Sequence, residues 1–540
     1  MEAASPPPSD RLDRNTILAL VAMGVAVLVM AIDFTSLAVA LPAIEKQFNT
    51  DVSTVQWVIN AYALVFGVLI VTGGRLADMF GRKRIFVIGA VIFATFSLLG
   101  GLAQSTIWLI AARALMGIGG AMMWPAVLGM TFAALPESKA GLAGGLILGA
   151  AGFGNAVGPM LGGFLTDALS WRWIFFLNLP IAAFGVIATV RAIHQTEPDA
   201  AREKIDYPGI ATLSAGLVAL LIALDQASDY GWGDARIVGL LIASAVLLIG
   251  FGLIERRAKL AALIPGDVMA NRNFAAACIT VLLMSAIFFA SLLYLPQFML
   301  KVLDYTALKA GIGLLPMMGT FAITSFAAGR LYERLGPKPI VSLGALCIAV
   351  GIFLLSLMQP GWGYASLMPG MFVMGAGIGL FYSSITTAGV TALDASRASL
   401  AGGIVYMFQI AGGSIGLGAN TTIFTTKSHD DLTTNVARLH APLTHQQLND
   451  VHGVLAGTKS SQQVIAQFPD AARKLTSLVN DAFVAGVHTA FRVDSLLALA
   501  ALVVAGLFVG GRVQTSQITN HFHHRVAHVH GRRRRDAGEA

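Results

Sequence analysis

The chain is dominated by apolar runs long enough to cross a lipid bilayer. A hydrocarbon core about 30 Å thick needs about 20 apolar residues in a helix that rises about 1.5 Å per residue. Fourteen such runs follow one another between residues 16 and 510. The sequence therefore predicts an all-α membrane protein with fourteen transmembrane helices. The runs are 16–41, 54–72, 85–104, 107–129, 141–165, 173–191, 208–226, 236–254, 274–296, 307–328, 339–358, 364–387, 399–424 and 485–510.

Charge is scarce, and this excludes several classes of protein. Only 12% of the 540 residues are charged, whereas soluble domains carry about 25%. A soluble enzyme, a disordered chain or a nucleic-acid-binding module of this length would need more charged surface. The formal net charge of +7 is therefore attributed to membrane topology, and no nucleic-acid partner is expected.

The positions of Lys and Arg predict the orientation in the membrane. These residues concentrate in cytoplasmic loops of membrane proteins. With a cytoplasmic N-terminus, the inner segments and both tails hold 24 of the 36 Lys and Arg residues. An even number of helices returns the C-terminus to the same side. We therefore expect a multi-pass protein of a bacterial inner (cytoplasmic) membrane, with both termini cytoplasmic.

Two long segments are too polar to cross the membrane. Residues 426–484 are rich in Thr, Gln, His and Asp, and they are expected to form a partly helical cap on the outer face. The tail 511–540 contains five histidines and four consecutive arginines, 532–535, which would lie on anionic headgroups. The histidine spacings match no standard zinc pattern, so no metal site is predicted.

A ten-residue motif occurs twice in the chain. The pattern G-R-L-x-[DE]-x-x-G-x-K begins at Gly74 and again at Gly329, a displacement of 255 residues. Two related bundles in one chain are a common transporter architecture. Because the motif returns eight helices later rather than six, we expect two six-helix bundles with two extra helices between them. The predicted divisions are the tail 1–14, a bundle 15–191, a linker with two helices 192–273, a bundle 274–510 and the tail 511–540.

An ordered set of motifs resembles the major facilitator superfamily, in particular its fourteen-helix drug:proton antiporters. Residues 74–84 resemble the signature between helices 2 and 3, and the pattern G-x-x-x-G-P-x-x-G-G at 154–163 resembles the antiporter motif of helix 5. The pattern L-x-x-x-R-x-x-x-G-x-G at 109–119 is similar to the helix 4 motif. The remaining matches are D-F-T…A-L-P at 33–42, W-V-x-x-A-Y at 57–62 and W-R-W-x-F-x-x-N-x-P at 171–180.

This resemblance implies a transporter that works by alternating access between two bundles. It assigns a cytoplasmic latch to the loop signature and a seal against the opposite bundle to the antiporter motif. The chain departs from the family pattern at Met116, where Gln is common, and at Ala38, where Asn is common. In the second copy of the motif, Pro337 stands at the position equivalent to Arg82. We therefore expect the cytoplasmic gate at this second copy to be weaker than that at the first. The latch residues are Gly74, Asp78, Gly81, Arg82, Lys83 and Arg84; the antiporter residues are Gly154, Gly158, Pro159, Gly162 and Gly163.

Two charged side chains inside apolar helices are predicted at similar depths. Asp33 lies about 12 Å below Leu41, and Arg113 lies roughly 9 Å inside the fourth span. Burying an ion costs several kcal/mol unless a partner compensates it. We expect Asp33 to exchange a proton during transport under the influence of Arg113; a purely structural Asp is the alternative. Asp225 and Asp494 are interpreted as interfacial, near outer span ends.

Local chemistry gives the two glycine-containing motifs structural roles. Gly74 and Gly81 permit tight turning and close helix approach. Asp78 is expected to begin the next helix region, where exposed amides favour a carboxylate, and the following cations would anchor the inner leaflet and pair with it. The glycines of the antiporter motif offer a smooth surface, and packing alone would also explain them.

Several aromatic and thioether side chains are candidates for contacts with a substrate in a central cavity. Packing or lipid contact is the alternative for each. We expect the substrates to be amphipathic, cationic small molecules, and the other partners to be protons and membrane lipids of a monomeric protein. The candidates are Trp57, Tyr62, Met122, Met123, Trp124, Tyr406 and Phe408.

Missing motifs restrict the energy source and the chemistry. The chain has no G-x-x-x-x-G-K-[ST] loop for ATP and neither H-E-x-x-H nor G-x-S-x-G. An ion gradient is then the expected energy source, with no cofactor and no enzymatic activity. A proton-coupled drug exporter is the leading hypothesis. Export of a native lipid, siderophore or metabolite is the second, and a membrane-embedded transferase is a third from a different class.

Overall fold

The computed structural model describes residues 13–50, 52–193, 206–258, 262–436 and 472–510, and every regular element in these ranges is helical. Thirteen of the described helices are long and apolar enough to cross a membrane. The predicted all-α membrane fold is confirmed. The helices are α1 Arg14–Phe48, α2 Val52–Phe80, α3 Arg82–Gly101, α4 Thr106–Ala133, α5 Ala140–Ala168, α6 Arg172–Ala192, α7 Tyr207–Tyr230, α8 Ala235–Ala258, α9 Gly266–Ala270, α10 Arg272–Lys301, α11 Ala307–Gly313, α12 Leu315–Leu335, α13 Pro337–Ser356, α14 Tyr364–Thr391, α15 Ala398–Val436 and α16 Ala472–Phe508.

The tenth predicted span is formed by two consecutive helices. The short α11 ends at Gly313, and α12 follows directly after Leu314. α12 is not among the thirteen most apolar helices, because Arg330, Glu333 and Arg334 lie in its last two turns. It packs between α5 and α14. The described residues therefore contain thirteen helices that are long and apolar enough to span a membrane, against the fourteen predicted, and α12 occupies the place of the remaining one in the second bundle.

Several helices begin at a residue whose side chain accepts an otherwise unpaired amide N–H. The Asp13 carboxylate accepts the amide of Thr16 at 2.8 Å before α1, and the Asp206 carboxylate accepts that of Gly209 at 2.9 Å before α7. The Asn271 side chain does the same for α10. These caps determine the residue at which each apolar helix begins. They therefore also determine how far each later residue lies from that end of the helix.

The helices form two bundles joined by a hairpin. α1–α6 pack together, mainly through α2 with α4, α3 with α4, and α1 with α5; α10–α16 form the second bundle. The bundles meet where α5 packs against α12 and where α2 packs against α15. α7 contacts α2 and α15, whereas only 11% of the apolar window of α8 is buried. The two extra helices therefore lie between the bundles in sequence and on their outside in space.

We call the end of the bundle at which α1 begins and α16 ends the basal face, and the opposite end the distal face. α2, α4, α6 and α14 end at the basal face, and α3, α10 and α15 begin there, as shown by the hydrogen bonds that join them. The repeated motif lies at this face in both copies. An antiparallel arrangement of consecutive helices produces this grouping.

The last helix corrects one prediction. α16 begins at Ala472, thirteen residues before the predicted span, because the helix continues through the polar sequence 472–484. Asp494 is 1% exposed and is therefore enclosed by neighbouring helices. Its interpretation as a residue near the outer end of its span stays a prediction. α15 likewise continues to Val436, so both edges of the predicted outer cap are helical.

Some predictions fall outside the described residues. These are the histidines of 437–471, the whole tail 511–540 and the side chain of Asp225. Among the described residues there is no group of three or more His, Cys, Asp or Glu side chains placed to hold a metal.

Candidate functional site

Asp33 of α1 and Arg113 of α4 form a buried ion pair. The Arg113 Nη1 donates to Asp33 Oδ2 at 2.5 Å. The side chains are 1% and 0% exposed, respectively. Helix depth predicted this encounter, since a carboxylate and a guanidinium at one level of an apolar bundle each lower the cost of burying the other.

The second Asp33 oxygen is held by a residue that sequence reasoning did not single out. Asn178 of α6 donates from Nδ2 to Asp33 Oδ1 at 2.8 Å and to Ser97 Oγ of α3 at 3.1 Å. Ser97 in turn donates to the carbonyl of Phe175 at 2.8 Å. Asn178 lies inside the 171–180 motif, so its presence as an amide in an apolar helix was the available signal. The carboxylate thus has partners from two further helices.

Arg113 is held against α2 as well as against Asp33. Its Nε donates to the carbonyl of Val58 at 2.9 Å, and its guanidinium carbon lies 4.3 Å from the centre of the Tyr62 ring. Met116, at the position where Gln is common in relatives, places its sulfur 3.9 Å from Nη1. The Nη2 atom has no hydrogen-bond partner among the described residues. The cation is therefore stabilised by one carboxylate, one carbonyl and one aromatic face.

An aromatic series extends from this pair to the second bundle. Tyr62 stacks on Phe66 with ring centroids 5.7 Å apart, and Phe66 meets Tyr406 of α15 edge-on at 5.5 Å. Trp124 of α4 also contacts Tyr406, at 4.5 Å. Three of the predicted cavity residues, Tyr62, Trp124 and Tyr406, are thus brought together where the bundles meet.

The other predicted cavity residues do not join this series. Met122 and Met123 lie against Gly89 of α3, inside the first bundle. Trp57 and Phe408 are partly buried elsewhere on α2 and α15. Periodicity alone could not separate these positions, because a helix rotates about 100° per residue and the facing neighbour decides which side is central.

A cavity of about 540 Å³ lies between α1, α5 and α12, away from the ion pair. Its lining is apolar and includes Leu20, Gly24, Leu146 and Phe326. None of the predicted substrate contacts lines it. In this conformation the Asp33 carboxylate is enclosed by its own bundle, so water reaches it only after helices move.

Asp78 joins the two bundles at the basal face. Its carboxylate accepts the amide N–H groups of Leu400 at 2.8 Å and Ser399 at 3.3 Å, in the first turn of α15. The prediction that Asp78 begins the next helix region was wrong in detail: it lies near the end of α2 and faces the exposed amides of a helix in the other bundle. A carboxylate at a helix N-terminus is stabilised by those amides and by the helix dipole.

The cations after Asp78 have separate roles. Arg82 donates to Asp78 at 3.0 Å and to the carbonyls of Gly129 and Ala395. Lys83 instead donates to carbonyls at the end of α6, those of Val190 and Ile193.

Arg84 is exposed. Only one of the three cations therefore pairs with the carboxylate, and a second ties α3 to α6.

Two glycines of this motif are required by geometry. Gly81 has φ of +96°, a region that L-residues with a side chain rarely adopt. A Cβ at Gly74 would lie 2.7 Å from the carbonyl oxygen of Ser399, because α15 approaches α2 closely there. The motif therefore makes a turn at one glycine and a helix contact at the other.

The second copy of the motif makes a matching contact between the bundles. Glu333 of α12 accepts the amide of Leu142, in the first turn of α5, at 3.2 Å. Gly329 lies against Gly141 at the same crossing. Both carboxylates therefore accept an amide N–H from the first turn of a helix in the other bundle.

The antiporter motif divides between two partners. A Cβ at Gly154 or Gly162 would meet α1 backbone atoms within 2.9 Å, and one at Gly158 would meet Thr35. Pro159 and Gly163 instead lie near Gly311 and Leu308 of the second bundle. The seal against the opposite bundle relies largely on glycines outside the motif, at positions 141, 145, 149 and 152. Their near-regular four-residue spacing was the signal that sequence reasoning missed.

We expect Gly162→Ala to destabilise the protein. The added Cβ would lie 2.2 Å from the carbonyl oxygen of Ser36, so α1 and α5 would have to separate. Overpacking of this kind costs about 1–3 kcal/mol. Thermal unfolding in detergent measures the effect. Gly185→Ala in α6 is the control, because a Cβ there meets no atom within 4 Å; equal unfolding temperatures for the two variants would refute the contact.

Comparison with known proteins gives a consistent set of similarities. A family model described as the Major Facilitator Superfamily matches residues 23–417. The puromycin resistance protein pur8 of Streptomyces alboniger is 33% identical over 411 residues, covering 75% of this chain and 81% of that protein. The tetracenomycin C resistance and export protein of Streptomyces glaucescens is 28% identical and covers 90% of each chain.

Two further comparisons extend over nearly the whole chain. Multidrug resistance protein 3 of Bacillus subtilis is 29% identical over 512 residues, which cover 93% of this chain and 97% of that protein. The crystal structure of the human organic anion transporter MFSD10 (TETRAN) aligns with a TM-score of 0.58 at 12% identity, covering 93% of this chain and all of that one. At this identity the structural likeness shows a shared fold.

Proposed function

Because the chain belongs to the Major Facilitator Superfamily, we propose that it exports amphipathic, cationic small molecules in exchange for protons. The observation that carries this proposal is the buried network of Asp33, Arg113 and Asn178. Stability alone does not require an ion pair inside an apolar bundle, because apolar side chains of similar size often stabilise a protein equally well. Intramembrane ionisable residues generally mark ion or proton pathways.

Proton binding at Asp33 would alter this network at a defined bond. A protonated carboxyl no longer balances the Arg113 charge, so the 2.5 Å contact is weakened and the guanidinium is free to move. Arg113 lies on Tyr62, and the series Tyr62–Phe66–Tyr406 reaches the second bundle. Protonation thereby biases the relative position of the two bundles, which is what exchange by alternating access requires.

The basal face is closed in this conformation, and we assign it to the cytoplasm. The basic residues 82–84 lie there, as expected for a cytoplasmic face. Asp78 and Glu333 each join their own bundle to the first turn of a helix in the other. Opening these two contacts would admit a substrate from the cytoplasmic membrane side. Both chain termini would then be cytoplasmic.

The chemistry at the bundle interface supports the proposed substrate class. Tyr62, Phe66, Trp124 and Tyr406 present aromatic faces where the bundles meet, and such faces attract organic cations as well as apolar rings. The similar proteins are named for resistance to, or export of, drugs and antibiotics. An exporter that takes up membrane-partitioned aromatic cations fits both observations.

Dye transport in inverted membrane vesicles tests the proposal. With the chain overproduced and respiration supplying the proton gradient, we expect accumulation of ethidium that a protonophore abolishes and that ATP does not restore. Vesicles with the Asp33→Asn variant should show at most the background accumulation. Full accumulation in the presence of the protonophore would contradict proton coupling, and no accumulation of any aromatic cation would contradict the substrate class.

A further inference from the structure

A second carboxyl group is buried in the second bundle. Asp494 of α16 lies 18 residues after Thr476 and 14 before Phe508, the ends of the helical segment that contains its apolar window. These separations correspond to about 27 Å and 21 Å along the helix. The side chain is 1% exposed. Asp494 is therefore enclosed among the helices of the second bundle, and the network around Asp33 does not include it.

Asp494 is joined to one polar side chain, Asn420 of α15. The Asn420 Nδ2 donates to Asp494 Oδ1 at 3.0 Å and to the carbonyl of Gly416 at 2.9 Å. Both amide hydrogens of Asn420 are thereby used, and reversing the amide would place two oxygens against each other at Gly416. The orientation of Asn420 is consequently determined by its neighbours.

Two oxygen atoms of this pair lack a hydrogen-bond donor. Asp494 Oδ2 and Asn420 Oδ1 are both buried and have no partner among the described residues. An ionised carboxylate and an amide oxygen can only accept, so neither can satisfy the other. A proton on Asp494 Oδ2 would turn that oxygen into a hydrogen-bond donor. Asn420 Oδ1 is the acceptor of the same pair that has no donor among the described residues. A proton on Asp494 would therefore supply the hydrogen-bond donor that this pair lacks.

No cation compensates a negative charge here. α10, α13 and α15 pack against α16. From α10, the uncharged Tyr294 packs against Phe491 with ring centroids 6.2 Å apart, and its hydroxyl is close enough to Asp494 to interact with it. Lys301 of the same helix lies over Phe483, three turns towards the distal face.

The remaining ionisable groups around Asp494 point elsewhere or lie further along. From α13, Cys347 packs against Gly377 of α14. His429 of α15 lies nine residues beyond Asn420, and Arg492 of α16 itself is exposed. Among the described side chains, Asp494 has no ion-pair partner, unlike Asp33. An isolated carboxylate in an apolar interior is strongly disfavoured relative to the acid.

We propose that Asp494 and Asn420 form a proton-binding site in the second bundle, occupied by a proton in this conformation. The reaction is simple: the carboxylate takes up one proton from water when the bundle admits it and returns the proton to water when it opens again. Its consequence for transport rests on the proposed function, since the site would give the second bundle a protonatable carboxyl of its own. The binding of the proton does not depend on that function.

Infrared difference spectroscopy of the full chain in lipid nanodiscs tests this site. At neutral pH we expect the native protein to show a carbonyl band of a protonated carboxylic acid that is lost in Asp494→Asn and retained in Asp33→Asn. Asn420→Leu, of similar volume, should move the band to higher frequency, because the acid carbonyl loses its Nδ2 donor. This shift provides the test if Asp494→Asn does not fold.

Identical native and Asp494→Asn spectra in the acid carbonyl region would overturn the proposal. An Asn420→Leu band at the native frequency would overturn it as well. The spectra report protonation without transport, so they separate this proposal from the proposed function. The expected bands without proton-driven efflux would refute only the function, and proton-driven efflux without the bands would refute only the site.

Discussion

Replacing Arg113 with Leu should cost the protein about 3–5 kcal/mol of unfolding free energy at neutral pH, the typical penalty for removing one partner of a buried ion pair. The Asp33 carboxylate would keep only the 2.8 Å bond from Asn178, with no charge to balance it. Thermal unfolding of the purified protein in detergent measures this loss.

A double variant provides the matched control. In Asp33→Asn combined with Arg113→Leu no charge remains buried, and an amide at position 33 can still accept from Asn178. We expect this protein to unfold at a higher temperature than Arg113→Leu alone. If the double variant loses the sum of the two single effects, the side chains are energetically independent and the ion pair has no part in stability.

Asp78→Asn should open the basal face. The amide keeps one acceptor oxygen and replaces the other with a donor, so it cannot serve Leu400, Ser399 and Arg82 together. Hydrogen bonds to a charged group contribute about 1.5–3 kcal/mol each. A loss of about 2–4 kcal/mol from the closed state shifts the equilibrium between closed and open forms roughly 30- to 700-fold.

Distances between spin labels detect this opening. Phe80 at the end of α2 and Leu335 at the end of α12 are 42% and 45% exposed and belong to different bundles. With Cys278 and Cys347 replaced and labels at these two positions, we expect a longer-distance population in Asp78→Asn. Glu333→Gln, which affects one 3.2 Å bond, should give a smaller change. A distance distribution unchanged by Asp78→Asn would refute the latch.

Simple physical rules predicted the parts of the structure that depend on depth and order along the chain. Counting apolar runs located the helices, and the displaced repeat placed α7 and α8 between the bundles. Asp33 and Arg113 were predicted to pair because they lie at similar depths in their helices. Two opposite charges in apolar helices have few other partners that could offset the cost of their burial. Each of these inferences needed only the rise per residue of an α-helix and the free energy cost of burying a charge.

Other features depended on which helices face one another, which one sequence does not state. The acceptor role of Asp78 towards Leu400 required knowing that α15 begins beside the end of α2. The burial of Asp494 required knowing that α10, α13 and α15 pack around α16. The division of the antiporter motif, with Gly162 on α1 and Gly163 on the second bundle, reflects a rotation of about 100° between consecutive residues.

The most direct test of proton coupling at Asp33 is substrate-induced proton movement in liposomes that contain the purified chain and a pH-sensitive dye. With native protein, imposing an outward gradient of a cationic substrate should drive protons inward, and a protonophore should abolish the resulting pH change. Asp33→Asn should move no protons above protein-free liposomes while remaining folded by its unfolding temperature. Native-sized proton movement by Asp33→Asn would contradict the account.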